Sequence, residues 1–102
     1  MKTSEEAVKR ACLDYLRLKG YAAVRINNGA VKMPSGRFVR FTDVDGVADI
    51  LMAANGEAWA VETKSDTGRL SEAQRAFREY WIRGGGRYVV ARGIEDLKEA
   101  GL

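Results

Sequence analysis

Apolar and polar residues alternate along the chain with two different periods, and these mark out its elements. Over "TSEEAVKRACLDYLRLKG" (3–20), Val8, Ala11, Cys12, Tyr15 and Leu16 or Leu18 recur at helical spacing, and the run ends at Gly20 after Lys19, as helices commonly do. "YAAVRIN" (21–27) is rich in strand-forming residues, "NGAVKMPSG" (28–36) holds the turn formers and the only proline and reads as a loop, and "RFVRF" (37–41) reads as a short strand. After the turn "TDVDG" (42–46), the stretch "ADILMAANGEAWAVETK" (48–64) presents two apolar strands joined by Asn-Gly. Both central residues of a type I′ turn need positive φ, so this dipeptide predicts a hairpin with Asn55 and Gly56 at its tip. A loop, "SDTGRL", then leads to a second helix, "SEAQRAFREYWIRGGG", with Ala73, Phe77 and Tyr80 or Trp81 on one face and a glycine stop. "RYVVA" (87–91) is a last strand and "IEDLKEAG" a short closing helix. The order α-β-β-β-β-α-β-α predicts an α/β fold, a mixed central sheet flanked by helices, in which the strands before and after the second helix form a parallel crossover.

Composition narrows the function more than it narrows the fold. A chain of 102 residues reads as one domain, spanning 1–102. Its 17 Lys and Arg against 14 Asp and Glu give +3 and a mildly basic character compatible with a polyanionic partner. The absence of histidine excludes histidine-based metal sites and histidine-dependent triads, and the single Cys12 excludes an internal disulfide or a cysteine zinc site. No apolar run approaches membrane-spanning length and no signal-peptide core opens the chain, so a cytoplasmic location and no membrane partner are expected.

The hairpin register raises the chemical question. Counting outward from Asn55-Gly56, Ala54 faces Glu57, Ala53 faces Ala58, Leu51 faces Ala60 and Asp49 faces Glu62. Directly opposed residues share a sheet face with Cβ atoms ~5 Å apart. Two carboxylates at that distance in a half-buried sheet cannot both stay ionised without a proton or a cation between them. Lys64, two residues beyond Glu62 and on the same face, balances one charge but leaves Asp49 unexplained. A divalent cation explains both acids. Mg²⁺ takes hard oxygen donors, commonly one or two carboxylates with waters and phosphate oxygens in the remaining positions. Asp49, Glu62 and the backbone carbonyl of Thr63 are the expected donors, with Mn²⁺ a fitting substitute. Such an ion binds a phosphodiester and acidifies a water to attack it, while Lys64 orients or deprotonates that water and offsets charge in the transition state.

"GVAD" (46–49) followed by "ETK" (62–64) resembles the acid…E-x-K signature of PD-(D/E)XK nucleases, the restriction-endonuclease-like superfamily. More narrowly, an acid at the head of the first helix, "RINNGA" (25–30), "GVAD", "ETK" and "LSEAQ" (70–74), in that order over residues 4 to about 98, resemble the stand-alone VRR-NUC nucleases of phages and bacteria. Ala48 stands where that family usually has a proline, and Thr63 where it usually has an apolar residue, of which only the backbone carbonyl is expected to matter. The resemblance implies a restriction-endonuclease-like core and a divalent-metal-dependent, structure-specific DNA endonuclease, similar to Holliday-junction resolvases that act as homodimers on branched DNA in the cytoplasm of a bacterium or phage-infected host. The alternatives are another nuclease of the superfamily, nicking or restriction in type, and a non-catalytic DNA-binding module on the same fold.

The resemblance also calls for an acid on the first helix, at Glu5 or Glu6. Thr3 and Glu6 have the spacing of a capping box, which would occupy Glu6 and leave Glu5, three residues before Val8, as the metal-site acid. First-turn acids favoured by the helix dipole account for either residue equally. Gln74 carries two readings: Ser71 and Gln74 form a second capping box, whereas the resemblance implies a catalytic role toward the attacking water or the phosphate. Asn27 or Asn28, with Lys32, Arg37 and Arg40, are the candidate phosphate contacts, each of which also reads as part of a solvated charged loop.

Overall fold

A computed structural model describes residues 3–27 and 29–102 of the chain. Helix α1 (Glu5–Leu18) is followed by strands β1 (Ala22–Arg25), β2 (Ala30–Lys32), β3 (Phe38–Arg40), β4 (Ile50–Ala54) and β5 (Glu57–Thr63). Helix α2 (Glu72–Arg83), strand β6 (Arg87–Ala91) and helix α3 (Ile94–Glu99) complete it. The main sheet has the order β1-β4-β5-β6, antiparallel except for the β5–β6 pair, which is parallel across α2. The expected mixed α/β sheet flanked by helices is therefore the fold observed.

Two cores hold the helices to the sheet. On one face Val8, Cys12, Leu13 and Leu16 of α1 meet Ile50, Met52, Trp59 and Val61 of the sheet and Leu97 of α3. Cys12 is wholly buried, and burial pushes its thiol pKa up to about 11, so it is an inert core residue. On the other face Val47, Ala48, Ala60 and Phe77 form a smaller cluster with Leu51, Trp81 and Tyr88 against it. Trp81, not Tyr80, is the second aromatic anchor of α2. Its indole N–H donates to Arg87 O at 2.9 Å, and a Cβ on Gly86 would come within 2.3 Å of that nitrogen.

Three expectations are corrected. The segment 28–36 is not all loop: β2 lies within it and pairs with β3, Ala30 to Arg40 and Lys32 to Phe38. Pro34-Ser35-Gly36 is the turn of that hairpin, closed by Gly36 N–H donating to Met33 O at 2.8 Å with Gly36 at φ +88°. The strand at 37–41 therefore belongs to a separate two-stranded arm rather than to the main sheet. The first capping box does not form. Helix α1 starts one residue later than that box requires, Ser4 caps it by accepting from Ala7 N–H at 3.1 Å, and Glu6 turns outward to Arg25 at 2.8 Å. Leu18 is exposed and Leu13 takes its place in the core. Among the described residues no helix is long and apolar enough to cross a membrane.

Candidate active site

The hairpin that positions the acids forms in the expected register. Asn55 at φ 53° and Gly56 at φ 79° turn the chain, and Ala54 pairs with Glu57, Ala53 with Ala58, Leu51 with Ala60 and Ile50 with Val61. One step further along this ladder lies Asp49 opposite Glu62, at the point where β4 begins. Asp49 is held there from both sides of its backbone and side chain. Its carbonyl accepts from Ile26 N–H at 2.7 Å, and its Oδ2 accepts from Thr63 N–H at 2.9 Å and from the Thr63 hydroxyl at 2.7 Å. The expectation that only the backbone carbonyl of Thr63 matters is thus too narrow, since two of its donors fix the Asp49 carboxylate.

Among the described residues, Glu62, Thr63 and Lys64 are the buried polar ones, at 2%, 0% and 8% exposure. Burial, a hydrogen bond shared with Asp49 and the Asp49 charge push the Glu62 carboxyl up to about 9, against the opposing pull of Lys64. Asp49 moves the other way. Burial alone would raise it, but the shared hydrogen bond with Glu62, the two Thr63 donors and the Lys9 charge outweigh that and hold it below the usual carboxylate range. In the metal-free protein the pair therefore holds one proton between two acids, on Glu62.

Two cations flank the pair. Lys64 Nζ lies 3.4 Å from Glu5 Oε1, and Lys9 Nζ lies 3.4 Å from Asp49 Oδ1. Lys64 is fastened by its backbone, whose N–H donates to Ala91 O at 3.0 Å, and by the loop after β5, where a Gly68 Cβ would lie 3.3 Å from the Lys64 stem. Arg92 straps that loop in place, donating to Ser65 O at 2.5 Å and Gly68 O at 2.8 Å.

The structure brings Asp49, Glu62, Thr63 and Lys64 together, with Glu5 at their rim. Glu5 is half exposed and bound to Lys64, and among the described residues no three acids or cysteines converge as a metal cage. Gln74 sits in the capping box, its Oε1 accepting from Ser71 N–H at 2.8 Å and its N–H donating to Ser71 Oγ at 3.1 Å. The first turn of α2 nonetheless touches the "GVAD" loop, because a Cβ on Gly46 would meet Ala73 O at 2.3 Å. Lys32, Arg37 and Arg40 lie exposed on or beside the β2–β3 arm, apart from the carboxylates, with Arg40 paired to Asp45. Asn28 lies outside the described residues. Lys9 is the site residue that sequence reasoning missed. Its signal was present, since it stands one helical turn after Glu5 on the same face of α1.

The donor set fits a hard divalent cation. Two carboxylates meet within hydrogen-bonding reach at one end of a hairpin, the hard oxygen donors that such an ion takes.

No protein-family model and no curated protein matches the chain. Among solved structures it is similar to one described as "VRR_NUC domain", with a TM-score of 0.68 and 18% identity, over 95% of this chain and 92% of that one. At that identity the likeness shows the fold alone: the chain folds as that domain does.

Proposed function

We propose that the chain is a divalent-metal-dependent endonuclease that hydrolyses phosphodiester bonds in DNA, with branched DNA of the Holliday-junction type as its substrate. The observation that carries this reading is the buried Asp49–Glu62 pair beside Lys64, on the fold of a VRR_NUC domain. Asp49, Glu62 and the Thr63 carbonyl are the residues that would hold the ion, and a bound Mg²⁺ or Mn²⁺ supplies charge neutralisation on the phosphate and a more acidic attacking water.

The protein's own residues do the rest. Thr63 locks the rotamer of Asp49 by donating twice to Oδ2, so that Oδ1 faces the site and Lys9. Lys64 sets its ammonium beside Glu62, where it orients the attacking water and offsets the charge that builds on the phosphorane-like transition state. Glu5, hydrogen-bonding distance from Lys64, keeps that ammonium extended toward the carboxylates. Gln74 closes the capping box with Ser71 in the first turn of α2, the turn whose backbone meets the Gly46 loop.

A homodimer is part of the proposal. Two symmetric cuts across a junction need two copies of one site related by a two-fold axis. The arm and the neighbouring face of α2 expose Val31, Phe38, Val39, Phe41 and Tyr80, an apolar surface that suits a subunit interface. Lys32 and Arg37 at the arm then lie where a phosphate backbone passing between subunits would meet them.

A labelled panel of linear duplex, flap, splayed arm and four-way junction tests this. Paired cuts at the junction in Mg²⁺ or Mn²⁺, and none in EDTA, are expected. Cutting confined to linear duplex would return a restriction or nicking type, and binding of the junction without cleavage in either metal would return a non-catalytic module.

A further inference from the structure

Two buried polar atoms on the active-site face of the sheet find no hydrogen-bond partner among the described residues: Glu62 Oε2 and the Tyr88 hydroxyl. Their chemistry is complementary. A phenol O–H is a donor in want of an acceptor, and a carboxylate oxygen is an acceptor in want of a donor. Their placement is complementary too. Tyr88 pairs with Ala60 across the β5–β6 ladder, and Glu62 stands two residues beyond Ala60 on the same face. The two side chains are thus diagonal neighbours, a spacing of about 7–8 Å between strands that long side chains and one water readily span.

The Tyr88 ring is not free to look elsewhere. It lies against the cluster of Val47, Ala48, Ala60 and Phe77, its centroid 6.5 Å from that of Phe77. Burial first, and then the charge of Glu62, raise the pKa of its hydroxyl, so it stays a protonated donor within electrostatic reach of the carboxyl. Carboxylates that hold metals are themselves held by an outer hydrogen bond, without which their orientation drifts.

We infer that Tyr88 is a positioning residue for Glu62: its hydroxyl donates, through one bound water, to Glu62 Oε2 and keeps the carboxylate turned toward Asp49. The inference rests on the proposed cation site for its consequence in metal binding, but not for the hydrogen bond itself.

Tyr88→Phe tests both parts, since it removes one oxygen and leaves the packed ring. In EDTA, where no metal contributes, the variant is expected to unfold ~4 °C lower than wild type. An unchanged or raised melting temperature would overturn the inference, because deleting an unpartnered buried hydroxyl relieves a cost. The double variant with Glu62→Gln completes a cycle, in which coupling between the two positions is expected and additivity would count against it. Titration of the DNA-free protein with Mn²⁺ should show about tenfold weaker binding in Tyr88→Phe. Wild-type affinity in that variant overturns the positioning role while leaving the proposed function standing. Failure of wild type itself to bind Mn²⁺ overturns the proposed function, and the melting temperatures in EDTA still decide the hydrogen bond.

Discussion

Burying Asp49 and Glu62 side by side is tolerable without metal because one of them keeps its proton, and stability must then depend on pH in a stated direction. Glu62 is raised from an ordinary carboxylate value to about 9, so its contribution is complete below pH ~4.5 and is lost as pH climbs toward 9. Asp49 is lowered, so its contribution holds at neutral pH and is lost only in strong acid. Thermal melts in EDTA should therefore show a melting temperature that falls steadily from pH 5 to pH 9, with a much flatter profile in Glu62→Gln; a flat wild-type profile would contradict a shared proton. For chemistry, Lys64→Ala and Glu62→Gln should each lower single-turnover cleavage by about 10²–10³-fold or more. Retention of cleavage within tenfold in either would remove that residue from its role. At this scale the sequence showed Asp49, Glu62 and Lys64 clearly, because strand register alone aligns them. It did not show the Thr63 hydroxyl bound to Asp49 or the Lys9 contact, since both depend on rotamers and on how α1 lies across the sheet.

The elements explain why those residues meet. The Asn55-Gly56 turn fixes register, and a one-residue slip would send Asp49 to the opposite face from Glu62. The loop before Asp49 is seated by Gly46, which adopts φ +74° and touches the α2 backbone where a side chain would have to fit. Gly46→Ala should thus cost ~3 kcal/mol of stability, combining strain at positive φ with the clash against Ala73 O. Denaturant melts check this, and a cost under ~1 kcal/mol would mean the contact yields easily. Most elements were legible from periodicity, with β6 recovered at its observed ends. Strand β2 was not, because three residues next to Pro34 carry no alternation and are ordered only by pairing with β3. The start of α1 was misjudged by one residue, since Thr3 and Ser4 are both capable caps, and in the folded chain Ser4 caps while Glu6 pairs with Arg25.

The whole molecule presents one chemical face and one apolar arm. Phe38 is 65% exposed and Tyr80 61%, the latter with one edge against the Phe77 ring. Sedimentation of wild type should give a dimer, and replacing Phe38 and Phe41 with serine should give a monomer with little change in melting temperature; a monomeric wild type would contradict the paired-cut proposal. Nothing in the local pattern of "RFVRF" distinguished a sheet strand from an exposed arm, because the same residues suit either and only tertiary placement separates them. The central claim, that the facing acids are built to receive a divalent cation, is tested most directly by calorimetric titration of Mn²⁺ into the DNA-free protein at pH 7 in buffers of different ionisation heat. With the Glu62 carboxyl pushed up to about 9, binding between the acids must expel its proton, so about one proton per bound cation is predicted, lost along with the binding in Glu62→Gln. Binding that releases no proton, or that survives Glu62→Gln unchanged, would place the ion elsewhere and contradict the account.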